Sequence, residues 1–130
     1  MPIRPIEHGI FAGAAGGAVY AGYFGGGSPN TATVDKFAFS DDSRTTLGTG
    51  LSASTKELAA MANSGTAGYF GGGNDGSLTA TVDKFAFSDD SRTTLGTGLS
   101  SATTDLAAMA ASGTAGYFGG GDAGGRVTTV

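Results

Sequence analysis

The chain has 130 residues, 25 of them glycine, and a formal net charge of −4. Glycine, alanine, serine and threonine offer little apolar area, so a core has to come from eight Phe, four Tyr, three Met and scattered Val, Leu and Ile. That supply is thin for a self-sufficient core, and oligomerisation is the natural remedy. The seven basic residues are dispersed among eleven acidic ones, which argues against nucleic-acid binding, because phosphate neutralisation needs a concentrated basic stripe. The absence of cysteine removes disulfides, thiolate chemistry and Cys-ligated metals, and leaves the redox compartment open.

Residues 1–17 form an N-terminal arm. The start is mildly basic and leads into an Ala/Gly stretch, but Glu7 and His8 interrupt it and the apolar run is weak. The expectation is an arm of the mature protein, neither a secretion signal nor a membrane span. Pro2 and Pro5 hold it extended, and Ile3, Ile6, Ile10 and Phe11 supply apolar grips for a neighbouring subunit; a free terminus is the plainer alternative. Val127 and Val130 are the matching apolar positions at the other end of the sequence.

Beyond the arm the sequence repeats. AGYFGGG occurs at residues 21–27, 67–73 and 115–121, a spacing of 46 and then 48 residues. TATVDKFAFSDDSRTTLGTGLS at residues 31–52 recurs unchanged at residues 79–100. The difference in spacing falls where SPN becomes NDGSL, as a surface turn tolerates. The units are 18–66, 67–114 and a partial third, 115–130. Periods of this length mark supersecondary units that stack to share a core.

Within a unit, AVYAGYFGG is aromatic and glycine-rich, and TVDKFAFS places Phe37 and Phe39 on one alternating face, so both read as strands. SDDS makes the hairpin turn, and residues 44–51 form the returning strand. STKELAAMANSGT at residues 54–66 is ambiguous. Ser54 and Glu57 form a capping-box pair ahead of LAAMA, which suits a helix. The segment is only two turns long and its small residues suit a crowded strand, so a fourth strand is the favoured reading, with the same answer for residues 103–114. The fold class is therefore all-β: tandem four-stranded, propeller-like blades.

From the fourth strand onward, LAAMANSGTAGYFGGG, TVDKFAFSDDS and a returning strand resemble a kelch-type β-propeller blade. The shared features are an AA pair before an SG turn and an aromatic strand ending in the doublets Gly72–Gly73 and Gly120–Gly121. Phe39 and Phe87 take the place of the family's Tyr, while its Trp place falls near Thr46 and Thr94, and the chain has no Trp. The GYFGGG…VDKFAFS…LG repeats are also similar to those in virion proteins of tailed phages, especially phages of cyanobacteria. That resemblance implies a structural component of a phage particle, a head decoration (cement) protein or part of a tail fibre, with other virion proteins as partners. A propeller closes at about four to eight blades, so two full repeats and a partial third call for a ring completed by oligomerisation, with three chains giving six blades.

The chemistry-bearing residues do not point to catalysis. His8 is the single histidine and lies in the arm, so a serine triad lacks its base. The triple glycines lack the following helix and the GK[ST] of a phosphate loop. Asp41–Asp42 and Asp89–Asp90 sit in hairpin turns, where Asp bonds its own backbone, rather than in a calcium site. Asp35 beside Lys36, and Asp83 beside Lys84, read as solvated or cross-strand charges. No cofactor and no metal are expected. The rival to a structural role is an oligomeric propeller lectin, with Tyr23, Tyr69 and Tyr117 as sugar platforms and Asn30, Asn74 and Asp75 as polar partners. Against that, each Tyr falls within a strand expected to be buried.

Overall fold

The computed structural model describes residues 20–125, 128 and 130. Ile3, Ile6, Ile10, Phe11 and Val127 lie outside the described residues. All regular structure within them is β, in nine strands: β1 (Ala21–Gly25), β2 (Val34–Ala38), β3 (Arg44–Thr46), β4 (Ala59–Asn63), β5 (Ala67–Gly71), β6 (Val82–Ala86), β7 (Arg92–Thr94), β8 (Ala107–Ala111) and β9 (Ala115–Gly119). They form three antiparallel meanders, β1-β2-β3, β4-β5-β6-β7 and β8-β9, which do not close into a ring. The complete sheet runs from Ala59 to Thr94, so it begins inside the first sequence unit and ends inside the second.

The ambiguous segment is a strand. Glu57 adopts a left-handed φ of 58°, which no helical turn allows, and the capping box does not form. Strand β4 then pairs with β5 over its whole length, Ala59 opposite Gly71 and Met61 opposite Tyr69. Five residues of ladder satisfy backbone groups that a two-turn helix would leave orphaned at both ends. Strand β8 repeats this pairing with β9.

The returning strand is shorter than expected from residues 44–51. Pairing stops at Thr46 and Thr94. The Leu51 N–H still reaches the Ala32 carbonyl at 2.7 Å, but by then the chain has left the sheet, and Gly50 lies so close to the Ala32 carbonyl that a Cβ would collide with its oxygen. What reads as the end of a strand is the start of the link to the next sheet.

Alternation along the strands gives each sheet two packed faces. In the second sheet, Phe70, Asp83, Phe85 and Phe87 point toward the first sheet, which we term the leading face, while Met61, Tyr69 and Lys84 point the other way, on the trailing face. The core lies between sheets one and two, where Val34 and Leu51 of one meet Phe70 and Phe85 of the other, with Tyr23, Ala32, Leu47 and Leu58 at its margin. Full burial of each Phe contributes roughly 1.5–3 kcal/mol, so this small cluster carries much of the fold.

Candidate functional site

The most elaborate chemistry in the molecule is at the junction between the first and second sheets. Gly25 ends β1 on the trailing face, and the Phe70 ring covers it at 3.1 Å from where a Cβ would stand. The same seat recurs one step on, where Phe118 covers Gly71. A side chain at either glycine would force two sheets apart, so the repeated glycine serves close packing between units.

Polar groups flank this apolar seat. Asp83, only 4% exposed, accepts hydrogen bonds from the Ser52 N–H at 2.7 Å, the Ser52 hydroxyl at 2.8 Å and the Thr94 hydroxyl at 2.6 Å. The Arg92 Nη1 donates to the Gly50 carbonyl at 2.9 Å. At the far edge the Tyr23 ring stacks on Phe87, centroids 5.1 Å apart, and its hydroxyl donates to Asp90 at 2.7 Å. Lys36 completes the group with an ion pair to Asp90 at 2.8 Å. Asp90 reaches both partners because it sits at a left-handed φ of 58° after the hairpin, a conformation Asp tolerates better than most residues.

These contacts set the titration of the pair. Burial of the phenol, reinforced by the Asp90 carboxylate, raises the Tyr23 pKa above its ordinary value. The hydrogen bond to Asp90 outweighs desolvation and raises that of Lys36. Asp41 and Asp89 are held below the usual carboxylate range by hydrogen bonds from Ser43 and Ser91.

Several sequence expectations are corrected at this junction. Asp83 is not solvated; it is buried, accepts across the sheet from Thr94 directly opposite, and is also bonded to the preceding unit through Ser52. Asp41 and Asp89 do cap their turns through Ser43 and Ser91, but Asp90, expected to share that role, bridges to Tyr23 and Lys36. The sequence reading missed Ser52, Arg92 and Gly50 altogether, and only their unchanged recurrence as Ser100, Arg44 and Gly98 hinted that the whole set acts together.

The second junction is less filled. Met61 lies over Gly116, Phe118 fills its seat, and Asn63 accepts from the Gly113 N–H at 2.8 Å and the Ser112 hydroxyl at 3.3 Å. Two clefts remain. One, of about 260 Å³, is lined by Met61, Asn63, Tyr69, Ser112 and Gly116. The other, of about 240 Å³, is lined by Leu99, Thr103, Leu106, Phe118 and Val130, whereas the equivalent space at the first junction is about 20 Å³.

The three tyrosines have three different environments. Tyr23 is consumed by Phe87 and Asp90, Tyr69 is half-buried at the larger cleft, and Tyr117 is 46% exposed, contrary to the expectation that every one is buried. Their proposed polar partners are engaged elsewhere: the Asn30 amide donates to the Asn74 carbonyl at 2.9 Å, and Asn74 Oδ1 accepts from the Gly76 N–H at 2.9 Å. Val130 is exposed but reaches the Gly119 position. Among the described residues no three His, Cys, Asp or Glu side chains gather as metal ligands, and no helix is long and apolar enough to cross a membrane. Compared with known proteins, the chain matches no protein-family model and no curated protein by sequence.

Proposed function

We propose that this chain is a non-enzymatic structural protein that acts by stacking β-sheets into a homo-oligomeric, propeller-like ring, three chains to the ring, within a phage particle. The observation that carries this reading is the first junction, where the repeat commits its buried aromatic, carboxylate, guanidinium and glycine positions to holding the next repeat. A surface specialised for binding its own kind builds assemblies through many equivalent contacts. The antiparallel four-stranded meander of residues 59–94 and the face-to-face packing of successive sheets support the propeller-like element. Placement in a virion, as decoration protein or tail-fibre part, rests on the resemblance of the repeats to those of tailed-phage proteins.

The test is the solution mass of the chain by light scattering, alongside a variant lacking residues 1–11. A trimer that survives the deletion supports closure by the repeats, with the arm left to bind other virion proteins. A monomer in both sinks the assembly reading.

A second reading is carbohydrate binding, favoured by the half-buried Tyr69, which lines the larger cleft together with Asn63 and Ser112. An aromatic face next to amide and hydroxyl groups suits a sugar ring. Calorimetric titration with an oligosaccharide panel tests it, and binding that Tyr69→Ala abolishes is the result that favours it.

A further inference from the structure

Repeat symmetry makes the two ends of the row of sheets complementary to each other. Phe24 and Phe39 on the leading face of the first sheet are 67% and 64% exposed, whereas their equivalents in the second sheet, Phe70 and Phe87, are 5% and 8% exposed. The sequences around each pair match, so the difference is the presence of a preceding sheet. At the opposite end, Met109, Tyr117 and Val130 of the third sheet are 66%, 46% and 77% exposed. Tyr117 and Val130 are the counterparts of Tyr23 and Val34, which receive Phe87 and Phe70 at the first junction. Met109 stands directly opposite Tyr117 across the β8–β9 ladder, hence on the same face. Of the six large apolar side chains most exposed in the described residues, five lie on these two end faces.

We infer that a second copy of this chain docks its first sheet on the third sheet, head to tail, using the internal junction as its pattern. The inference rests on the homo-oligomeric reading above and names its interface. Phe24 of the incoming copy seats on Gly119 beside Val130, as Phe70 seats on Gly25 beside Val34 and as Phe118 covers Gly71. The nearest side chain to the Cβ position of Gly119 is Val130, at 2.9 Å, as Val34 flanks that of Gly25 at 3.3 Å beside the Phe70 ring. Phe39 of the incoming copy stacks on Tyr117, as Phe87 does on Tyr23, with Met109 extending the apolar surface. The Tyr117 hydroxyl donates to Asp42 of the incoming copy, which shares with Asp90 the left-handed φ after its hairpin, 56° against 58°.

Such a contact is heterologous: one face meets a different face, and the geometry either closes into a ring or runs on as a filament. This supplies a test that a symmetric dimer fails. Phe24→Ser disables the incoming face only, and Tyr117→Ser the receiving face only. Each side chain is exposed, so each variant keeps the far-UV circular dichroism and thermal midpoint of the parent, and Met109→Glu stands in should Tyr117→Ser not fold. By sedimentation velocity the parent is a multimer, each variant alone falls to the monomer mass, and an equimolar mixture of the two forms a one-to-one complex through the single intact pair of faces. Variants that remain multimeric overturn the proposal while leaving homo-oligomerisation standing, as when the arm makes the contact. Two monomeric variants that do not combine when mixed also overturn it. A parent that forms open filaments supports the head-to-tail contact and sinks the closed ring, and a monomeric parent sinks both.

Discussion

Residues 31–52 and 79–100 are identical in sequence, yet the same substitution in each is expected to have different consequences. Asp83→Ala removes a buried carboxylate that accepts from the Ser52 N–H, the Ser52 hydroxyl and the Thr94 hydroxyl. Hydrogen bonds to a charged group contribute about 1.5–3 kcal/mol, and three are lost here, so about 3 kcal/mol is expected after the relief of burying the carboxylate is allowed for. Asp35 is its counterpart and accepts only from the Thr46 hydroxyl at 2.5 Å, with Arg44 at 3.9 Å and largely exposed. Asp35→Ala therefore costs only about 0.5–1 kcal/mol. For a chain of this size the two losses correspond to thermal midpoints lowered by about 10 °C and about 3 °C. Urea unfolding of both variants, read at the tyrosines, measures the difference, with Ser52→Ala as a control that couples to Asp83 and not to Asp35. Losses that agree within about 0.5 kcal/mol would refute the reasoning, because the neighbouring sheet is the sole difference between the two sites.

Gly50→Ala and Gly98→Ala each drive a methyl into a backbone carbonyl, of Ala32 and Ala80 respectively, and are expected to cost about 3 kcal/mol or more by chemical denaturation, whereas Gly48→Ala, with open space around it, is neutral or stabilising. Gly71→Leu collides with Phe118 and should detach the third sheet, which limited proteolysis reports as early cleavage after residue 100. The first junction weakens in alkali: Tyr23 and Lys36 both have raised folded-state pKa values, so their contribution is complete below the unfolded values of 10.0 and 10.5 and fades as pH rises through the folded ones. Thermal melts between about pH 9 and pH 12 should show a steeper loss for the parent than for Tyr23→Phe, which removes the titrating phenol and costs about 1 kcal/mol at neutral pH. Equal slopes would mean that the phenol does not titrate in the folded junction.

The sequence by itself determined that this protein is all-β, that it repeats, and where the strands begin, though not how far the returning strand runs, because these follow from local pattern: AGYFG and VDKFA pair as strands, SDDS turns, and the insertion sits in a loop. It also pointed correctly, on the smallness of its residues, to a strand at Ala59–Asn63, although the capping box spoke for a helix. It did not determine which half of each alternating strand meets which neighbour. A period of two separates residues into faces and says nothing about what covers each face. Asp83 and Asp35 are indistinguishable in sequence, as are Phe87 and Phe39, yet one of each pair is buried and the other is not. That asymmetry came from the stacking of sheets, which brings together Tyr23 and Asp90, 67 residues apart, and Ser52 and Asp83, 31 apart. Tertiary structure decided it because a repeat unit buries its faces only against another unit, so the environment of each residue is set by its place in the row and not by its own sequence.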